Sequence, residues 1–265
     1  MNSRAIGVSA AVMVLAASER PAGAEVVWKA DFETNDITQF DGNMNATKDA
    51  RKNIEIVTTP KQQGKYAAKV TIHPDDTFKT RQMRVQFTRY SPRTEEGQDL
   101  FLSFHLRMDQ APLVRDNFAY WESDKSWKNV MTWWVAPKEG GGTTINFGTG
   151  NLGPNQHWTA DFSLKKWHQM VMQIHWSPDP QVGSIKLWYD GKVVVDIKAV
   201  TKPDKNPMFF QPGIHRADRT DAVDTIYFDN FIEADTLADV MPVKSSKRGV
   251  SRADRATTGA SVDTR

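Results

Sequence analysis

Three stretches of this 265-residue chain alternate polar and apolar side chains in a way that would bring reactive groups to one face of a sheet. Gln82, Arg84 and Gln86 alternate with Met83, Val85 and Phe87, and Ser103, His105 and Arg107 alternate with Leu102, Phe104 and Leu106. Gln211 and His215 lie in a third stretch, Phe209 to Arg216. Successive side chains of a strand point to opposite faces, so each polar set shares a face. Together they offer a guanidinium and amides to neutralise a carboxylate, a base for the proton beside it, and an acid for a departing oxygen. Those are the needs of β-elimination from a uronate polymer. If the strands are neighbours, Arg84 with Gln82 or Gln86 would hold the carboxylate. His105 and His215 would then share base and acid work, with Tyr90 or Tyr120 as replacements, and Arg107, Gln211 and Arg216 would extend the binding set.

Hydrolysis makes a different demand, a pair of carboxylic acids facing the bond across a groove. No Glu-x-Asp-x-Glu or similar spacing occurs, and the acidic residues are scattered through turns. Of the remaining histidines, His157 lies beside Trp158 in a Gly- and Asn-rich segment and could cover a groove. His73 and His168 read as edge and packing positions. Trp133 and Trp134 are adjacent on a strand, so only one can face a sugar; Trp134 is taken as that one. Asp31, Glu33, Asp229 and Asn230 are oxygen donors on the expected first and last strands, which suits a structural calcium away from the chemistry. The chemistry itself requires no cofactor.

The elements that must position these groups are short strands. Val26 to Phe32 reads as an opening strand, and Tyr66 to Ile72 alternates with Tyr66, Ala68, Val70 and Ile72 inward. Arg81 to Phe87, Leu100 to Met108, Asn129 to Val135, Thr143 to Gly148, Trp167 to Ser177 and Phe209 to Arg216 follow. Asp190-Gly191 between Ile185 to Trp188 and Val193 to Val195 is a hairpin signal, because both residues tolerate positive φ. Asn35 to Asn53, Asp109 to Lys128 and Thr149 to Lys165 read as loops. No segment keeps a long helical period. Two packed antiparallel sheets follow.

With 39% hydrophobic and 10% aromatic residues, a single core is expected over residues 25–243. Residues 1–24, with Arg4, an apolar run from Ala5 to Ala17 and the ending Ala22-Gly23-Ala24, have the layout of a cleavable signal peptide. The protein is therefore expected to be secreted or periplasmic, with no membrane span. Residues 244–265, rich in Ser, Thr, Ala and Arg, are expected to be a disordered basic tail. The net charge of +2 belongs to these ends: without the leader's two basic and one acidic residues and the tail's six and two, the body holds 26 basic against 29 acidic residues, net −3. That balance excludes a nucleic-acid partner. With no cysteine, disulfides and thiolate metal sites are excluded as well.

The order of these pieces from Val27 to Asp235 resembles the secreted jelly-roll polysaccharide lyases, a group that includes heparin lyase I-like proteins, glucuronan lyases and, more distantly, alginate lyases. Arg81-Gln82-Met83-Arg84 resembles the strand that carries the family's substrate-binding arginines, without its usual acidic residue. Phe209-Phe210-Gln211-Pro212-Gly213-Ile214-His215 resembles a Tyr-Phe-Lys-Ala-Gly-Val-Tyr pattern whose last Tyr is catalytic, and His215 stands in that place. The family's Gln-x-His strand matches Thr132-Trp133-Trp134, which has neither residue. Gln173-Ile174-His175 has the letters of the alginate-lyase tripeptide but belongs to the strand before the Asp-Gly hairpin, assigned to the outer sheet. The resemblance implies an all-β, concanavalin A-like jelly roll with a concave groove, cleaving an acidic polysaccharide as a monomer. Glucuronan is the leading substrate, followed by alginate or a glycosaminoglycan. The alternative is a carbohydrate-binding protein on the same sandwich without turnover.

Overall fold

The computed structural model describes residues 25–45, 52–78 and 82–241; the expected leader, the basic tail and Arg81 lie outside them. Among the described residues, sixteen strands form two eight-stranded antiparallel sheets. Sheet A contains β1 (Val26–Ala30), β3 (Ile54–Val57), β4 (Ala67–Ile72), β7 (Asp99–Arg107), β12 (His168–His175), β13 (Ser184–Tyr189), β14 (Lys192–Lys198) and β16 (Asp224–Ala234). Its order is β14-β13-β12-β7-β16-β4-β3, with β1 pairing β16 beyond the end of β4. Sheet B contains β2 (Gly42–Asn45), β5 (Thr77–Phe78), β6 (Gln82–Tyr90), β8 (Asp116–Ser123), β9 (Asn129–Pro137), β10 (Thr143–Thr149), β11 (Asn155–Asp161) and β15 (Met208–Arg216). Its order is β11-β10-β9-β8-β15-β6-β2, with β5 also on β6. One four-residue helix, α1 (Leu237–Val240), follows β16. No helix among the described residues is long and apolar enough to cross a membrane.

The core lies between the sheets and is built as the alternation predicts. Ala68, Val70 and Ile72 of β4 and Leu100, Leu102, Phe104 and Leu106 of β7 face Met83, Val85 and Phe87 of β6. Phe104, Phe210 and Phe231 meet at its centre, with ring centroids 5.4 to 6.4 Å apart. Burying large aromatic side chains contributes more per residue than aliphatic ones, and a Cys-free sandwich depends on it. Asp190 and Gly191 take φ of 48° and 78° between β13 and β14, the left-handed pair that the hairpin signal requires.

All three expected loops contain strands: Asn35 to Asn53 contains β2, Asp109 to Lys128 contains β8, and Thr149 to Lys165 contains β11. β8 escaped because it does not alternate: Phe118 and Ala119 both enter the core. The register slips there against β9 and β15, so Asn117 and Tyr120, three residues apart, end on the same outer face. An inserted residue that resets the phase is a β-bulge, and it erases a period-two signal.

Candidate active site

The face of sheet B turned away from the core collects the reactive groups. Arg84 on β6 lies beside His215 on β15, His215 beside Asn117 on β8, and Asn117 beside Trp134 on β9. The next row holds Gln86, Gln211, Tyr120 and Thr132, and beyond it lies Glu122. The Tyr120 hydroxyl sits 3.0 Å from Gln86 Oε1 and 3.3 Å from Gln211 Oε1. Gln211 Nε2 donates to Glu122 Oε2 at 2.6 Å, and Gln86 Nε2 donates to the Gln211 carbonyl at 3.4 Å. Gln82 Oε1 accepts from Arg84 Nη2 at 3.2 Å. The rings of Tyr120 and His215 lie edge to face with centroids 5.6 Å apart.

Burial sets the protonation states. His215 is 1% exposed, neither ring nitrogen has a hydrogen-bond partner among the described residues, and burial, helped by the Arg84 charge, holds its pKa down to about 3. It is a neutral imidazole with free lone-pair and N–H positions. Burial pushes the Tyr120 hydroxyl well above the usual phenol range, so it keeps its proton, and it raises the Glu122 carboxyl against the pull of Gln211 and Arg84. The cluster thus holds a neutral base, a neutral acid and a cation within one layer of side chains.

Five expected residues do not join it. His105 and Arg107 lie on β7, in sheet A, on the far side of the core. Alternation had correctly turned them away from the core, but it cannot say which sheet a strand enters. His105 faces the Gln169 and Asp229 positions of neighbouring strands, and burial lowers its pKa to about 4. Arg107 pairs with Asp109 at 2.7 Å. Arg216 is buried, held by Asp116 and Asp224 at 2.5 Å each, so its guanidinium serves the fold. Trp134 is on the correct face but is covered by Arg115, whose guanidinium lies 4.1 Å from its ring. Tyr90, six residues along β6 from Arg84, stacks on Phe209 at the other end of the face. Tyr120, not His105, is the side chain that lies beside His215. His175 lies on sheet A beside Asp99, as its assignment to the outer sheet implied. His157, on β11, shares a 2.8 Å hydrogen bond with Thr149 at the edge of sheet B.

The strand adjoining β15 opposite β6 is β8, not the Thr132-Trp133-Trp134 strand, which lies one further out. Its polar residues Asn117 and Glu122 were missed because the strand itself was hidden. The expected calcium ligands divide. Asp31 is bound by Lys29 Nζ at 2.6 Å, whereas Asp229 accepts from the backbone N–H groups of Gln62 and Gln63, Glu33 from those of Lys65 and Tyr66, and Asn230 Oδ1 from the Gln63 side chain. Asp229 Oδ1 is buried without a partner, and burial, with Glu33 adding repulsion, raises the Asp229 pKa to about 6. The Glu33 charge acting on Asp229, beside an oxygen with no partner among the described residues, is a feature that a hard cation would relieve, although among the described residues no three His, Cys, Asp or Glu gather at one point.

Comparison with known proteins identifies the family and the fold. A profile of the polysaccharide lyase family matches residues 30–232. The chain belongs to that family. A search of curated proteins finds no match. Among solved structures, this lyase resembles the endo-β-1,4-glucuronan lyase of the fungus Trichoderma reesei at 17% identity and a TM-score of 0.63, covering 82% of this chain and 98% of that one. It also resembles a cellulose-induced protein, Cip1, at 12% identity (TM-score 0.54; 78% of this chain, 97% of that one). A β-glucanase catalytic domain from Podospora anserina is similar at 11% identity (TM-score 0.55; 79% and 95%). At such identities these likenesses speak for the jelly-roll sandwich alone.

Proposed function

We propose that this lyase cleaves a uronate polymer, glucuronan first among them, by β-elimination on the outer face of sheet B, as an exported monomer. The observation that carries the reading is the neutral, unpartnered His215 between Arg84 and Tyr120. Arg84, with the Gln86 and Asn117 amides, neutralises the uronate carboxylate and so acidifies the C5 proton. His215 takes that proton, and the C5–H electron pair becomes the C4=C5 double bond as the C4–O bond breaks. Tyr120 gives its proton to the departing O4. The bound carboxylate adds a negative charge beside His215 and raises its basicity where it is needed. Trp127, 52% exposed, and Tyr90 flank Phe209 at the other end of the face and offer rings for a more distant sugar.

The decisive experiment is ultraviolet absorbance during incubation of residues 25–265 with glucuronan, alginate, heparin, hyaluronan and pectate, since only elimination leaves a conjugated double bond. A rise on glucuronan that His215→Ala abolishes is expected. No rise on any polymer, with the protein folded, would sink the reading. Export is tested by the N-terminus of protein recovered outside the cytoplasm, which should begin near Glu25. We further propose that Asp229, Glu33 and Asn230 hold a calcium ion whose contribution is structural: it would neutralise the carboxylates and pin the 62–66 segment to β16. Calcium, and not magnesium, should then raise the melting temperature; a melting temperature indifferent to calcium and chelator would dismiss it.

A further inference from the structure

The polar face opens at its Arg84 end onto a cleft of about 410 Å³ whose lining includes Arg115, Asn117, Leu152, Arg216, Asp218 and Arg219. Arg115 is its unusual member. Its guanidinium lies over Trp134, Nε donates to Asn117 Oδ1 at 3.2 Å, and Nη2 donates to the Leu152 carbonyl at 2.5 Å. None of these partners is an anion, and among the described residues no carboxylate pairs with it, although burial is deep enough to lower its pKa. Arg216 in the same wall is already satisfied by Asp116 and Asp224. Asp218 and Arg219, both exposed, offset one another, so Arg115 supplies the excess positive charge of the cleft. A guanidinium fixed by an aromatic face and a carbonyl keeps donors free, in a set plane, for a planar anion.

Asn117 joins this cation to the reacting groups. Its Oδ1 accepts from Arg115 while its Nδ2 donates to the His215 carbonyl at 3.2 Å, so the cleft begins one side chain beyond the base. We propose that the cleft binds the sugar next to the one that loses its proton, and that Arg115 holds that neighbour's carboxylate, making the enzyme selective for polymers of consecutive uronates. The inference rests on sheet B being the catalytic face. In a polymer that alternates uronate with an uncharged sugar, the neighbour offers no carboxylate, and Arg115, exposed at the cleft, gains no charge-assisted contact from it.

The test is affinity electrophoresis of the protein through gels containing glucuronan or hyaluronan, with unsaturated product measured in parallel. The wild type should bind glucuronan roughly tenfold or more tightly than hyaluronan, the effect of one charge-assisted contact. Arg115→Gln should lose that margin by weakening glucuronan alone, and Arg115→Lys should keep part of it. The wild-type comparison needs no variant, so a substitution that fails to fold does not rescue the idea. Equal affinity of the wild type for both polymers, or a folded Arg115→Gln that retains the preference, overturns the proposal. An Arg115-dependent preference without any unsaturated product would overturn the catalytic reading and leave the anionic-sugar site standing; turnover that ignores Arg115 would do the reverse.

Discussion

In the proposed mechanism His215 serves as the base because it is kept from being an ion. A solvated imidazole would be half protonated near pH 6.5, whereas burial and Arg84 hold this one at about 3. The sign follows directly: a base must be neutral, and a lowered pKa keeps it neutral further into acid. The value of kcat/KM, which reports the free enzyme, should therefore stay level from neutral pH to about pH 5. An acid limb centred near 6.5 would mean that His215 is solvated and the arrangement wrong. At Tyr120, removal of the hydroxyl in Tyr120→Phe should lower kcat by roughly a hundredfold or more with a small change in KM. An equal loss through KM alone would make Tyr120 a binding group. Arg84, Gln86, Gln211 and His215 were legible in sequence because each alternates with a core residue. His105 obeys the same alternation and still lies on the wrong sheet, since strand order is decided by long-range pairing and not by local pattern.

Among the elements, β8 and β15 make the site, and both do so through irregularities. The bulge at Phe118 and Ala119 turns Asn117 and Tyr120 to one face, which is why the segment read as a loop. In β15 the residue between Gln211 and His215 on that face is Gly213, at φ 141°. A Cβ there would lie 2.3 Å from the Val85 carbonyl oxygen and 2.5 Å from Gln86 Cα, both backbone atoms. Neither atom can yield without moving β6. Gly213→Ala should therefore cost about 2 to 4 kcal/mol, lower the melting temperature by several degrees, and displace Gln86 from Tyr120, so kcat should fall too. A variant as stable and active as the parent would show that the two strands are not packed so closely. Phe209 to Arg216 read as an ordinary strand, because the closeness of β6 that makes glycine necessary had no local signal.

At the scale of the whole molecule, buried ionisable groups set the pH range of the fold. His215 and His105 have folded pKa values near 3 and 4, below their unfolded 6.5, so the folded state binds fewer protons and stability falls as pH drops below 6.5. Each contributes roughly 1.4 kcal/mol per pH unit until its folded pKa is reached. Asp229, raised to about 6, and the raised Glu122 and Glu233 have the opposite slope, losing stability as pH climbs through their folded pKa values. Between about pH 4 and 6.5 the slopes oppose one another. Below that, His215 is joined by Asp31, Asp36, Asp190 and Asp204, whose pKa values lie below the usual carboxylate range, so acid removes stability on both counts. The melting temperature should be nearly level from pH 5 to 7 and fall steeply below about 4. A steady decline beginning at pH 6.5 would mean that the carboxylates are not raised.

The two-sheet architecture was legible because alternating stretches and the Asp190-Gly191 turn are local signals. The partition of strands between sheets was not, and it follows from the place of β16. That strand lies between β7 on one side and β4 and β1 on the other. Until residues 224–234 arrive, the strands on either side have no common partner, and sheet A remains two fragments. Every partner of β16 precedes it in the chain, so β1, β4 and β7 wait as unjoined edges during synthesis, and the sheet is sealed only when this keystone strand slides between them.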